Sequence, residues 1–144
     1  MFRPSSIHRF ENAWWGATAL WLVGTLLAWN RISASLAGDP RTAAAANLAQ
    51  PLIVSLVLAL TVLLWWLAAR RASPVGKWLV VVSAAASVLV GLGRLLSLAS
   101  GRSLHPLSLV AFLLGMVLTI VAAAALFRPD ADEWFGLAGP EPLP

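Results

Sequence analysis

Four long uncharged segments follow one another along the chain, and its charged residues lie in the short segments between them and in the two terminal segments. The uncharged runs span residues 12–30, 42–69, 78–93 and 103–127. A helix needs about 20 mostly apolar residues to cross a bilayer core. Three runs meet this length, and the third does so if its helix continues past Arg94. Because the runs do not alternate in polarity, we expect helices rather than barrel strands.

Prolines mark the expected helix boundaries. A polar residue followed by proline is typical of an N-cap and the first helical position, and proline also disfavours helix at the residue before it. Two such pairs predict helix starts and a third predicts a helix end: Ser73-Pro74, His105-Pro106 and Arg128-Pro129.

The boundaries predict an all-α membrane protein, an antiparallel four-helix transmembrane bundle that forms a single membrane domain over residues 1–144. We expect transmembrane helices over 12–33, 48–69, 75–99 and 106–127, and a short interfacial helix over 130–137. The start of the second helix stays open, because either Pro40 or Pro51 suits it.

Basic residues favour a topology with both termini in the cytoplasm, since cytoplasmic loops are enriched in Lys and Arg. The two sets are Arg3, Arg9, Arg70, Arg71, Lys77 and Arg128 on the inner side, and Arg31, Arg41, Arg94 and Arg102 on the outer side.

Tryptophans fit the same topology, because their amphipathic rings favour the headgroup level. Of the chain's eight tryptophans, only Trp21 lies in the middle of a predicted span. The residues predicted to lie at the lipid interface are Trp14, Trp15, Trp29, Trp65, Trp66, Trp78 and Trp134.

A cleaved signal peptide is the alternative interpretation of the first helix, with Ser35-Leu36-Ala37 as a passable cleavage site. Glu11 and two tryptophans in the leading segment, and Arg31 before the cleavage site, count against it.

Composition narrows the class of protein. Hydrophobic residues make up 60% of the chain and charged residues 11%, with a mean hydropathy of +0.83. So few charges cannot cover the surface of a soluble domain, which excludes ordinary soluble enzymes and nucleic-acid binders. The chain has no cysteine, so disulfides and thiolate metal sites are excluded. The abundance of Ala, Leu and Arg favours a multi-pass protein of a bacterial inner membrane.

Small residues recur at spacing four on two predicted helices. Such stripes let helix backbones approach closely in lipid. We expect the third and fourth helices to pack through them within one monomer, with an oligomer or partner interface as the alternative. The predicted packing residues are Ser83, Ser87, Gly91, Ala111, Gly115, Thr119 and Ala123.

Candidate chemistry is sparse. No Asp, Glu, Lys or His lies in the centre of any predicted span, which argues against ion-coupled transport. Arg31 and Arg94 are expected to be snorkelling anchors near the far interface, with a gate or an anion-binding arginine as the alternative. His8 and Glu11 could pair along one helix turn, but no nucleophile or metal companion accompanies them. We therefore expect no catalytic residue, no metal site and no cofactor.

The acidic and aromatic C-terminal tail is the most distinctive segment. Asp130 and Glu133 have the spacing of a capping box, and we expect Trp134 and Phe135 to enter the headgroup layer. The carboxylates lie on the predicted side of Arg70, Arg71 and Lys77, so a salt-bridged cap on the bundle is expected. The alternatives are a divalent-cation site or docking to another subunit by Asp130, Asp132, Glu133, Trp134 and Phe135. Residues 136–144 are expected to be extended or disordered unless a partner orders them.

Four spans, the Arg70-Arg71 pair and a closing Pro-Asp-Ala-x-x-Trp-Phe motif at 129–135 resemble small bacterial inner-membrane proteins of uncharacterised function. The specific part of this resemblance covers about eight residues. It implies a four-helix inner-membrane protein and brings no known activity or site residue.

These observations predict a non-catalytic accessory or structural subunit of a larger inner-membrane complex, respiratory or photosynthetic. Its expected partners are the lipid bilayer and other membrane subunits or further copies of itself, with no nucleic acid. The alternative is a homo-oligomeric channel or facilitator for small neutral or amphipathic solutes, and an intramembrane enzyme is the least favoured.

Overall fold

The computed structural model describes residues 4–38, 43–101 and 105–136, and these residues are helical with no strand. The predictions for Pro40 and for residues 137–144 lie outside the described residues. The helices, in chain order, are α1 (Ser5–Ala37), α2 (Ala43–Trp65), a π-helical turn (Trp66–Arg70), α3 (Pro74–Ala99), α4 (Pro106–Ala125) and α5 (Pro129–Trp134).

Three of the described helical segments are long and apolar enough to cross a membrane, at Leu48–Arg70, Pro74–Ala99 and Pro106–Ala125. Helix α1 is also long enough to cross a membrane, since its 33 residues rise about 50 Å. Its tryptophans, glycines and polar residues keep its mean hydropathy below that of the three other helices. The structure therefore shows an all-helical protein with three membrane-compatible helices, where the sequence predicts four spans.

Two helix starts follow the predicted proline pairs. Ser73 is the N-cap of α3, its Oγ accepting a hydrogen bond from the Gly76 N–H, and His105 precedes α4 as predicted. Helix α2 begins at Ala43 among the described residues and contains Pro51, so Pro51 does not begin this helix. Helix α5 begins at Pro129 with Arg128 as its N-cap. The predicted capping box is therefore wrong, because Asp130 lies inside the helix.

The helices pack unevenly. The most extensive contact is between α1 and α4, α3 lies on α4, and α2 lies on α1. Helices α2 and α3 make the least contact of these neighbours, although a short turn joins them. They therefore diverge from that turn and leave a gap between them.

The buried core lies at one end of the bundle, which we call the capped end. It contains the start of α1, the π-helical turn, the start of α3, the end of α4, and α5. Its largest fully buried side chains are those of Phe10, Ile7, Leu126 and Val80. Alanines on the neighbouring helices surround these side chains, so large residues from one helix fill the space that small residues leave on the next.

Candidate binding cleft

The α2–α3 turn draws the two helices together at the capped end. A Cβ added to Gly76 would lie 2.9 Å from the Leu67 carbonyl carbon, so α3 begins in backbone contact with the π-helical turn. Ala72 adopts a positive φ of 47°, which reverses the chain, and the Ser73 N–H donates to the Leu67 carbonyl. Only a residue without a side chain allows this close approach at position 76.

Helix α5 folds back and caps α1. The first residue before α1 is Pro4, whose side chain offers no hydrogen bond, so the first N–H groups of α1 lack a local acceptor. Asp130 supplies it: its Oδ2 accepts from the Ser6 backbone N–H at 3.0 Å and from the Ser5 Oγ at 3.3 Å. The hydrogen bond from the Ser6 backbone N–H, with a smaller contribution from the Ser5 hydroxyl, lowers the pKa of Asp130 below its ordinary value.

Lys77 connects α5 to the start of α3. Its Nζ lies 2.9 Å from Asp132 Oδ1, and the lysine is only 5% exposed whereas the Asp132 side chain is 43% exposed. The same ammonium lies 4.5 Å from the Phe127 ring centroid and 5.5 Å from that of Phe135. The predicted fold-back of the tail is therefore present, through Lys77 rather than through the two arginines of the turn.

The gap between the diverging helices is a cleft of about 380 Å³. This volume lies near the lower end of the usual range for ligand pockets, about 300–1,000 Å³. All four long helices contribute to its lining, which is mostly apolar. Five hydroxyl residues contribute to the lining, and its other members include Trp14, Leu60, Leu64, Ala86, Val90, Arg94 and Phe112.

The cleft has a floor and a mouth. Trp14 and Leu64 belong both to the core and to the lining, so they close the cleft toward the capped end. Leu60 on α2 and Ala86 and Val90 on α3 are exposed lining residues, so the mouth lies between α2 and α3. Since its rims are apolar, the mouth suits a bilayer interior rather than water.

Five hydroxyl side chains line the cleft, and each one donates a hydrogen bond to a carbonyl of its own helix at 2.7–2.9 Å. This back-bonding occupies their protons and leaves only oxygen lone pairs for a ligand. The middle of the cleft is therefore weakly polar and uncharged, which disfavours a hydrated ion. The five residues are Thr18, Thr61, Ser83, Ser87 and Thr119.

Arg94 is the charged residue of the lining. It is half-buried, its guanidinium carbon lies 3.7 Å from the Phe112 ring centroid, and its Nε is shielded from solvent without a hydrogen-bond partner. The expectation that Arg94 is a snorkelling anchor is therefore wrong, because its side chain turns into the bundle. Arg31, by contrast, is exposed.

The small-residue stripes do not pack against each other as predicted. A Cβ on Gly115 would lie 3.3 Å from the Ala17 carbonyl oxygen, so at this point the α4 stripe contacts α1. On α3, Gly91 accommodates the Met116 side chain, while Ser83 and Ser87 line the cleft. Of the remaining stripe residues, Ala111 and Ala123 are buried and Thr119 lines the cleft.

Two aromatic residues also depart from the predicted interface. Trp14 is 5% exposed and its Nε1 donates to the Thr61 carbonyl at 3.2 Å, so it connects α1 to α2 rather than meeting lipid. Phe135, also 5% exposed, packs in the core. The other predicted interface tryptophans are at least partly exposed: Trp15, Trp29, Trp65, Trp66, Trp78 and Trp134.

The interface tryptophans at the capped end have charged neighbours. The Trp65 Nε1 donates to Glu11 Oε1 at 3.1 Å, and Arg70 lies over the Trp65 ring at 5.2 Å. Glu11 also lies 3.9 Å from His8 Nδ1, as their spacing predicts. Neither Glu11 nor His8 lines the cleft, so this pair is separate from it.

The residues with structure described contain no cluster of three or more His, Cys, Asp or Glu that could hold a metal ion. The chain matches no protein-family model, no curated protein and no solved structure. Its function is therefore inferred from the cleft itself.

Proposed function

We propose that this chain is a non-enzymatic, membrane-embedded binding protein that takes up a small amphipathic molecule from the bilayer. The observation that carries the proposal is the cleft of about 380 Å³ between α2 and α3, with its apolar mouth and closed floor. A concave, mostly apolar pocket with a few convergent polar groups is the usual form of a small-molecule site.

The proposal places four helices in the membrane, with α1 as the fourth span. Support for this comes from the extensive contact of α1 with the membrane-compatible helix α4, which includes Gly16 beside Leu118 and Gly24 hydrogen-bonded to Ser108. We also propose that both termini are cytoplasmic in a bacterial inner membrane. The positive-inside tendency of Arg70, Arg71 and Lys77 supports this orientation.

This binding function is related to the alternative function predicted from the sequence, a facilitator for small amphipathic solutes. One chain builds the cleft, so a homo-oligomer is not needed to complete it. Trp14 and Leu64 close the cleft at the capped end, which favours uptake from the bilayer over a straight pore through one subunit.

The accessory-subunit function stays a prediction. Its argument from the tail is weakened, because Asp130, Asp132 and Phe135 make their contacts within this chain. Gentle purification from the native membrane addresses it directly: a stoichiometric partner supports that function, and its absence counts against it.

Saturable binding of a fluorescent amphiphile tests the proposed function. Parinaric acid accepts excitation energy from tryptophan, and Trp14 and Trp21 line the cleft. We expect saturable energy transfer when the acid is titrated into the purified chain in neutral nanodiscs. Ala86→Phe places a large side chain in the mouth and should abolish the saturable signal.

Ala85→Phe is the matched control, because Ala85 is exposed on the same helix but does not line the cleft. It should bind like the unmodified chain. Equal signals from the two variants, or a signal that rises linearly with lipid partitioning in all three proteins, would rule out the cleft as the site.

A further inference from the structure

The charge in the cleft lies at one end of it. Ser83 and Arg94 both line the cleft and are eleven residues apart on α3, which corresponds to about 16 Å along the helix. Trp14 and Leu64 form the apolar floor near the capped end, and Arg94 with Phe112 lies toward the opposite end. The cleft therefore has an apolar length and a cationic end.

Arg94 has no carboxylate partner within salt-bridge distance among the described residues, and its guanidinium stacks on the Phe112 ring. A half-buried guanidinium is costly in a membrane unless it is paired, since its lost hydration is not replaced. Stacking on an aromatic ring offsets part of this cost and leaves the planar N–H donors for an anion.

We infer that the cleft binds a single-chain amphipathic anion, with its carboxylate or phosphate at Arg94 and its apolar chain directed toward Trp14 and Leu64. This inference rests on the proposed function and specifies its ligand class. The hydroxyl oxygens of Ser83 and Ser87 face the chain region without free protons, so they tolerate an apolar chain and add no second anion site.

The depth of Arg94 fits this ligand. Arg94 is twenty residues beyond Pro74, the first residue of α3, which places it about 30 Å along the helix and near the far membrane interface. An amphiphile bound with its headgroup there keeps the orientation it has in a leaflet. The volume of about 380 Å³ suits one acyl chain rather than two.

The test compares parinaric acid with its methyl ester, which has the same chain and no charge. We expect the unmodified chain to bind the acid at least about tenfold more tightly than the ester, because a hydrogen bond to a charged group contributes enough for that ratio. Arg94→Gln should remove this preference and leave ester binding unchanged. Retained ester binding also shows that the variant is folded.

Arg31→Gln is the matched charge control, because Arg31 is an exposed arginine that does not line the cleft. It should keep the preference for the acid. Loss of the preference to the same degree in Arg31→Gln would assign it to general membrane charge and overturn the inference.

Competition distinguishes one-chain from two-chain anions, and the relative potency of palmitate and lysophosphatidate shows whether Arg94 prefers a carboxylate or a phosphate. Palmitate and lysophosphatidate, each with one chain, should displace bound parinaric acid, whereas the two-chain phosphatidate should not. Displacement by phosphatidate at equal concentration overturns the single-chain assignment. Equal binding of acid and ester by the unmodified chain overturns the role of Arg94 alone, while failure of both probes to saturate overturns the proposed function as well.

Discussion

The capped end and the cleft are made from similar residues, namely alanine, glycine and serine facing larger apolar side chains, yet one is filled and the other is open. At the capped end, Phe10, Leu126 and Phe135 insert between alanine-rich surfaces. In the cleft, Ser83 and Ser87 face a gap, because α2 and α3 diverge. Small residues therefore give close packing only where another helix approaches them.

The two regions also differ in whether their charged side chains have partners of opposite charge or hydrogen-bond partners within the chain. At the capped end, Asp130 and Asp132 have partners on α1 and α3, and the partner on α3 is the buried Lys77. In the cleft, Arg94 has an aromatic neighbour, and no acid among the described residues lies within salt-bridge distance of it. A region whose charges are paired within the chain is suited to stability, and a region with one unpaired charge is suited to recognition.

The largest expected effect comes from truncating the core of the capped end. Leu126→Ala removes a fully buried side chain and should lower the free energy of unfolding by about 3 kcal/mol. Leu89→Ala, at a 70% exposed position on α3, should change it by less than about 0.5 kcal/mol. Reversible unfolding in mixed micelles measures both, and similar losses in the two variants would show that the capped end is no better packed than the lipid face.

Two glycines on α3 provide the next comparison. Gly76→Ala forces a Cβ against the backbone of Leu67 and should destabilise the fold by about 1–3 kcal/mol. Gly93→Ala meets nothing within 4 Å and should stabilise it by about 0.5–1 kcal/mol, because alanine favours helix. The same unfolding assay applies, and equal signs for the two variants would contradict the close approach at the turn.

The connection between α5 and α3 should have a smaller effect. Asp132→Asn leaves the buried Lys77 without a carboxylate, and because Asp132 is 43% exposed the expected loss is reduced to about 1–2 kcal/mol. Glu133→Gln, at an exposed position on the same helix, serves as the control and should be neutral. If proteolysis of the C-terminal tail rises equally in both variants, the Lys77 pair does not hold α5.

A hydrogen bond joins α4 to α1 away from the capped end. The buried Ser108 Oγ donates to the Gly24 carbonyl at 2.8 Å, and Ser108→Ala should cost about 0.6 kcal/mol, the average for such bonds in membrane proteins. Ser97→Ala, which removes an exposed bond within α3, should have no measurable effect. A loss comparable to that of Leu126→Ala would mean that this part of the bundle is as strongly held as the core.

The smallest effect should appear only in acid. Hydrogen bonds lower the pKa of folded Asp130, so its contribution to stability is complete above the ordinary pKa near 3.8 and is lost as the pH falls through the lower folded value. Asp130→Asn keeps an acceptor for the Ser6 N–H but has no proton to gain in this window. Thermal unfolding between pH 5 and pH 2 should therefore lose less stability in the variant; identical pH profiles would contradict the capping role.

Local features of the fold were predictable from the sequence, and the site was not. Ser73, His105 and Arg128 mark helix boundaries because the following prolines act on the adjacent backbone alone. The direction of Arg94 was missed, since snorkelling and inward stacking on Phe112 suit the same position along a helix. The sequence pattern around residue 94 does not reveal that Phe112, on another helix, points toward it.

The sequence by itself determined an all-helical protein with membrane-compatible segments, because run length, low charge and proline positions act within each segment. Only the tertiary structure decided that α4 packs on α1, that Gly115 contacts Ala17, and that α2 and α3 separate beyond Gly76. In a chain rich in alanine and leucine, many helix faces have similar apolar character and similar side-chain sizes. The pairing therefore depends on how particular volumes fit across helices, and that fit also leaves the cleft with Arg94 at its end.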